Sequence, residues 1–73
     1  MAKEISRRFD SAAAAVVVTI EDDLGAQSFH TIYALRADGT EEDVDGVVAR
    51  VIADAGARAE KVKAAFQKAG WKG

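Results

Sequence analysis

An apolar stripe of helical period runs through the C-terminal half of this 73-residue chain. At about 100° per residue, its members fall within roughly 140° of one helix face, as in a helix that buries one side. The stripe consists of Val44, Val47, Val48, Val51, Ile52, Ala55, Ala59, Val62, Phe66 and Ala69. The pattern therefore predicts an amphipathic helix over residues 41–70, and the buried face of that helix needs a surface to pack on.

The two ends of the predicted helix carry suitable residues. Thr40 can serve as the N-cap, and Glu41 and Glu42 place negative charge in the first turn, where the helix dipole favours it. Lys68 precedes Gly70 at the other end, as helix C-termini prefer. These signals place the start of the helix at residue 41 and its end near residue 70.

Two residues near the middle of the stripe leave open whether the helix is continuous. Gly56 weakens a helix by about 1 kcal/mol relative to alanine. Arg58 lies inside the apolar stripe, although a salt bridge to Asp54, four residues earlier, would keep it solvated. The stripe keeps its phase from Val44 to Val62, which favours one helix that bends, rather than breaks, near Gly56.

The N-terminal half predicts a small antiparallel sheet and hence an α+β fold. Residues 12–37 read as a β-hairpin: two strands over 12–21 and 28–37, with Gly25 in the turn between them. A short helix over 12–15 is the competing interpretation of its alanines. Residues 1–11 alternate apolar and charged side chains, which fits either a third, edge strand or a frayed tail.

The expected register of the hairpin gives one almost wholly apolar face toward the helix. It pairs Ile20 with Phe29, Val18 with Thr31, Val16 with Tyr33 and Ala14 with Leu35. We therefore expect Ile20, Val18, Val16, Phe29, Tyr33 and Leu35 to pack against the helix. A slip of one residue would mix apolar and polar side chains on both faces, so this register is preferred.

Size and lengths together predict a homodimer. A single domain of this length has a marginal core, and the absence of cysteine rules out disulfides. Thirty helical residues span about 45 Å, whereas a ten-residue strand spans about 33 Å. The overhanging half of the helix would need either a break near Gly56 that folds it back or a second subunit to cover it, and the continuous stripe favours the second subunit. The expected interface consists of Ala55, Arg58, Ala59, Val62, Phe66 and Trp71.

Charge favours a protein partner over nucleic acid. The net charge is −2 and the pI about 5.2, unlike a generally basic nucleic-acid binder. A nucleic-acid-binding dimer is nevertheless the alternative. Its contacts would come from Lys3, Arg7, Arg8 and Arg36, with the basic helix end at Lys61, Lys63, Lys68 and Lys72.

No motif for catalysis, a cofactor or a metal stands out. His30 is the single histidine, and we expect it to be a residue of the sheet that neither binds a metal nor takes part in catalysis. The acidic run at residues 21–23 lacks the spacing of a calcium loop. Ser6-Arg7-Arg8 before an apolar run has the form of a weak export signal, but Asp10 interrupts it.

These features predict a small, non-enzymatic binding protein with an accessory or regulatory role. We expect it to be cytoplasmic, without a membrane segment, because the apolar run after the N-terminal arginines is too short to span a bilayer as a helix. The alanine-rich composition, with no proline, cysteine or asparagine, suits a bacterial or phage genome rich in GC.

Overall fold

A computed structural model describes all 73 residues as a three-stranded sheet with one long helix across it. The elements are β1 (Lys3–Asp10), β2 (Ala15–Glu21), β3 (Gln27–Tyr33) and α1 (Val44–Lys68). The strands are antiparallel in the order β1-β2-β3, so β2 is central and both of its neighbours are edges. The predicted α+β class is confirmed, and the N-terminal segment forms the third strand.

Helix α1 is continuous through Gly56, but it begins later than predicted. The N-cap is Asp43, whose carboxylate accepts a hydrogen bond from the Gly46 amide at 3.0 Å. Thr40 does not cap the helix, because its hydroxyl donates to Asp38 at 2.6 Å, a bond that also lowers the pKa of Asp38. The correction has a backbone cause: residues 34–42 form a small extended loop of their own, in which Glu42 donates to the Ala34 carbonyl.

The predicted hairpin register is wrong by one residue. The structure pairs Val16 with Ile32, Val18 with His30 and Ile20 with Ser28. Residues of β2 keep their expected face toward the helix, whereas every side chain of β3 is on the face opposite to the predicted one. Phe29 and Tyr33 therefore point away from α1, and Leu35 lies beyond the end of β3 and is exposed.

The turn between β2 and β3 sets this register. Asp22 is buried, and its Oδ1 accepts hydrogen bonds from the amides of Leu24, at 2.8 Å, and Ala26, at 3.0 Å. The Asp22 amide also donates to the Ala26 carbonyl. A five-residue turn results, one residue shorter than the expected register needs, and a slip of one residue inverts the faces of a strand.

Replacing Asp22 with alanine is expected to destabilise the protein by about 1–3 kcal/mol. The change leaves two turn amides without their acceptor in a partly buried site. Urea unfolding monitored by circular dichroism provides the measurement. Asp22→Asn is the matched control, because its amide oxygen can still accept both bonds, and it should retain most of the stability. Equal losses in the two variants would contradict this role for the carboxylate oxygen.

The core lies between the middle strand and the first part of α1. Its buried side chains are Ala2, Val16, Val18, Ile20, Ile32 and Val48, and the partly buried Val44, Val47, Val51, Ile52 and Ala55 pack around them. Ile20 and Val18 are the largest fully buried side chains. A core this small gives limited stability to a chain of this length.

The molecule is elongated because the helix outruns the sheet. Its extents are 49 × 20 × 14 Å, and its radius of gyration is 15.1 Å, against about 11 Å for a compact chain of this length. Lys63 reaches Asp23 in the turn after β2 at 3.2 Å, and the rest of α1 extends past the end of the sheet. No helix in the structure has the length and apolar character needed to cross a membrane.

Candidate interaction surfaces

The six residues expected at an interface lie on α1 or just after it, but only some are accessible. Ala59 is buried and Ala55 packs against the core, so both hold the helix to its own sheet. Val62 is half-buried. The other three, Arg58, Phe66 and Trp71, are exposed. The available part of the predicted interface is therefore Arg58 together with the aromatic end of the helix.

Phe66 and Trp71 form an aromatic cluster at the overhanging end of the molecule. Their ring centroids lie 5.7 Å apart with an angle of 72° between the planes, an edge-to-face arrangement. The Trp71 amide donates to the Phe66 carbonyl at 2.8 Å, and Gly70, with a φ of 108°, lets the chain reverse there. The two side chains remain 46% and 38% exposed, so this cluster can still bury area against a partner.

A groove with several polar side chains runs between α1 and β3. It includes Ser28 and His30 of β3 with Val51, Asp54 and Arg58 of α1. His30 Nε2 lies 2.8 Å from Ser28 Oγ, and both side chains come from the same strand, two residues apart. The pair resembles the nucleophile and base of a hydrolase in type, but no carboxylate is hydrogen-bonded to the other ring nitrogen to orient it.

The face of the sheet opposite α1 is uncovered. The observed register places Val17 of β2 on this face, with Phe29, Thr31 and Tyr33 of β3 beside it. Phe29 is 71% exposed and Tyr33 is 62% exposed. Sequence reasoning missed these two residues as surface groups because it assigned them to the core. The short Asp22 turn is the signal that could have shown their true orientation.

The basic residues proposed for nucleic-acid contact do not form one cluster. Lys3 and Arg8 belong to the uncovered face. Arg7 is on the helix side, where hydrogen bonds to Glu4, at 2.7 Å, and to Asp45 on α1, at 3.0 Å, raise its pKa. The fourth residue, Arg36, lies in the loop after β3, 3.5 Å from Glu42.

The basic helix end is likewise partly neutralised. Lys63 contacts both Asp23, at 3.2 Å, and Glu60, at 3.4 Å. The start of the helix is acidic, with Asp43 at the N-cap and Asp45 in the first turn. The helix therefore has a negative start and a positive end, an arrangement that suits antiparallel pairing with another copy.

Comparison with known proteins adds no relative: no family model, curated protein or solved structure matches the chain. The solvent-accessible surface of the chain is larger than that of a compact monomer of the same mass. The chain exposes 5168 Å², whereas a compact monomer of 7.7 kDa is expected to expose about 4,300 Å². The excess is close to the roughly 800 Å² that each partner buries in a standard protein interface.

Proposed function

We propose that this protein is a small, non-enzymatic interaction protein that works as a homodimer in an accessory or regulatory role. The observation that carries the proposal is the surface area in excess of that of a compact monomer, on a chain with a small core and several exposed large hydrophobic side chains. Phe66 and Trp71 contribute to it at the overhanging helix end, and aromatic anchors of this kind are enriched in binding hot spots. A cytoplasmic location belongs to the same proposal.

The charge distribution along α1 supports an antiparallel arrangement of the two copies. Asp43 and Asp45 lie at its start, and Lys61 and Lys68 lie near its end. If the two helices pack side by side about a twofold axis, the acidic start of each helix lies beside the basic end of the other, which gives two equivalent contacts. The interface would then include the second half of the helix, as its length relative to the sheet suggests.

Nucleic-acid binding is the second candidate. One observation favours it: Lys3 and Arg8 share the uncovered sheet face with Phe29 and Tyr33, and aromatic side chains on a sheet can stack on bases. Phosphate contacts would make affinity fall steeply with salt concentration. A titration of single-stranded oligonucleotides at 50 and 200 mM salt separates this candidate from a protein-only role, for which no binding is expected at either salt concentration.

Truncating both aromatic residues at the helix end is expected to weaken dimerisation at least tenfold. The double variant Phe66→Ala, Trp71→Ala removes a hot-spot pair, and 1.4 kcal/mol corresponds to a tenfold change in Kd. Sedimentation equilibrium across the micromolar range gives the Kd of the wild-type and variant proteins.

The matched control for this measurement is Phe9→Ala. Phe9 is also exposed, but it lies at the end of β1, away from the overhanging helix end. The Kd of this variant should equal that of the wild-type protein. A wild-type chain that sediments as a monomer at every concentration would defeat the homodimer proposal. A dimer that the double variant leaves unchanged would exclude the helix end from the interface.

A further inference from the structure

The outer edge of β3 presents backbone hydrogen-bonding groups that have no partner. Two backbone hydrogen bonds lie just beyond the two ends of the β2–β3 ladder: the Asp22 amide donates to the Ala26 carbonyl, and the Ala34 amide donates to the Ala14 carbonyl. Inward and outward groups alternate along an antiparallel strand, so these two bonds fix the pattern between them. The N–H and C=O groups that point outward belong to Gln27, Phe29, Thr31 and Tyr33.

The two edges of the sheet are protected to very different degrees. The β1 edge has a bulge between Glu4 and Ser6, and it is lined by charged side chains such as Lys3 and Arg8. Bulges and charges are the devices by which proteins prevent edge strands from pairing. Strand β3, from Gln27 to Tyr33, has no Lys, Arg, Asp or Glu, no proline and no bulge over its seven residues. One edge is blocked and the other is open.

We propose that the β3 edge pairs antiparallel with the β3 edge of a second copy, about a twofold axis that passes beside Thr31. Two three-stranded sheets would then join into one of six strands. This inference rests on the homodimer proposed above but places the interface at the β3 edge instead of the helix end. Phe66 and Trp71 would then lie at the two far ends of the dimer, and the double variant Phe66→Ala, Trp71→Ala would leave the Kd nearly unchanged.

The side chains on the uncovered face select the register. Centring the axis on Thr31 sets Phe29 of each copy directly opposite Tyr33 of the other, and both belong to the same face. Two aromatic cross-strand pairs result, each of a kind that stabilises antiparallel strands. Centring the axis on His30 would instead set Phe29 opposite Thr31 and leave no aromatic pair.

The same axis also places the helices. An axis normal to the sheet keeps both helices on one face and runs them antiparallel. Asp45 contacts Arg7, which is level with His30 in the sheet. Lys63, by contrast, contacts Asp23 in the turn beyond the strands. The starts of the two helices therefore lie near the axis, and their basic ends point away from each other.

The groove lined by His30, Asp54 and Arg58 lies between α1 and the β3 edge, on the turn side of Thr31, so the axis places the grooves of the two copies on opposite sides of Thr31 along the paired strands. Each copy exposes more surface than a compact monomer by about one partner's share of a standard interface, so it has area available for such a contact.

A single cysteine tests the register, because the natural chain has none. In a hydrogen-bonded antiparallel pair the Cα atoms lie about 5.5 Å apart, within the range that a disulfide spans. Thr31→Cys should therefore give a disulfide-linked dimer in high yield on mild oxidation at micromolar concentration. Gln27→Cys is the matched control, since the two copies of residue 27 would lie about 27 Å apart and should stay reduced.

The Thr31→Lys variant gives an independent measurement that needs no cross-link. It sets like charges directly opposite one another, whereas Gln27→Lys adds the same charge to the same strand without that juxtaposition. Sedimentation should show dimerisation at least tenfold weaker for Thr31→Lys and nearly unchanged for Gln27→Lys. Circular dichroism should show that both variants remain folded, because both side chains are exposed in one copy.

The outcomes separate this inference from the proposal on which it rests. A wild-type dimer that neither cross-links through Thr31→Cys nor weakens with Thr31→Lys would overturn the β3 pairing and leave the homodimer intact. Equal cross-linking of Thr31→Cys and Gln27→Cys would overturn the register. A wild-type chain that is monomeric throughout would overturn both proposals and leave the open edge to a strand of a different protein.

Discussion

Replacing Val48 with aspartate is expected to unfold the protein. Val48 is 5% exposed and packs in the cluster that contains Val16, Val18 and Ile20. A carboxylate there would be buried without a partner, which costs several kcal/mol even when the group takes up a proton instead. A chain of this length has a total stability of roughly 4–10 kcal/mol, so the substitution removes most or all of it.

The neighbouring position provides the control for this prediction. Ala49 follows Val48 on the helix and is exposed, so Ala49→Asp should change the stability by less than about 1 kcal/mol. Far-ultraviolet circular dichroism and urea unfolding distinguish the two results. A Val48→Asp protein with a cooperative transition near that of the wild-type protein would mean that the core does not lie where the structure places it.

The helix was the most predictable part of the fold, because its signal is local. A period of 3.6 residues depends only on the order of side chains along the chain, and Val48 and Ala59 of the stripe are indeed the buried residues of α1. The start of the helix was less predictable. Thr40 and Asp43 are both good N-caps by residue type, and the choice between them depends on the extended loop at 34–42.

The orientation of β3 could not be predicted from its apolar content. Phe29 and Tyr33 alternate with Ser28, His30 and Ile32, so placing the larger aromatic residues in the core is the natural choice. The register depends instead on the length of a turn, and that length depends on a side chain, Asp22, that bonds its own backbone.

Some of the candidate interface residues could be predicted from the sequence and others could not. The comparison of element lengths predicted that the helix would extend past the sheet, and the structure leaves Phe66 and Trp71 exposed there. Ala55 and Ala59 belong to the same stripe but are used within the chain, since the stripe alone does not show where the sheet ends. The aromatic residues of the uncovered face depend on the register and were therefore missed.

The register can be tested by stability as well as by structure. Ile32 is 6% exposed and belongs to the core cluster, so Ile32→Ala should cost about 2–4 kcal/mol through lost burial and the cavity that it leaves. Phe29→Ala removes more atoms than Ile32→Ala does, but the Phe29 side chain lies on the uncovered face. Phe29→Ala should therefore cost at most about 1 kcal/mol, the range of strand propensities.

The register expected from the sequence, which pairs Ile20 with Phe29, would give the opposite order of effects, because it buries Phe29 and exposes Ile32. Urea unfolding should be measured at the lowest practical protein concentration, since association adds its own concentration-dependent stability and Phe29 lies at the proposed strand interface. A larger loss for Phe29→Ala than for Ile32→Ala at that dilution would show that β3 is turned over. The uncovered aromatic face, and the β3 pairing built on it, would then both be wrong.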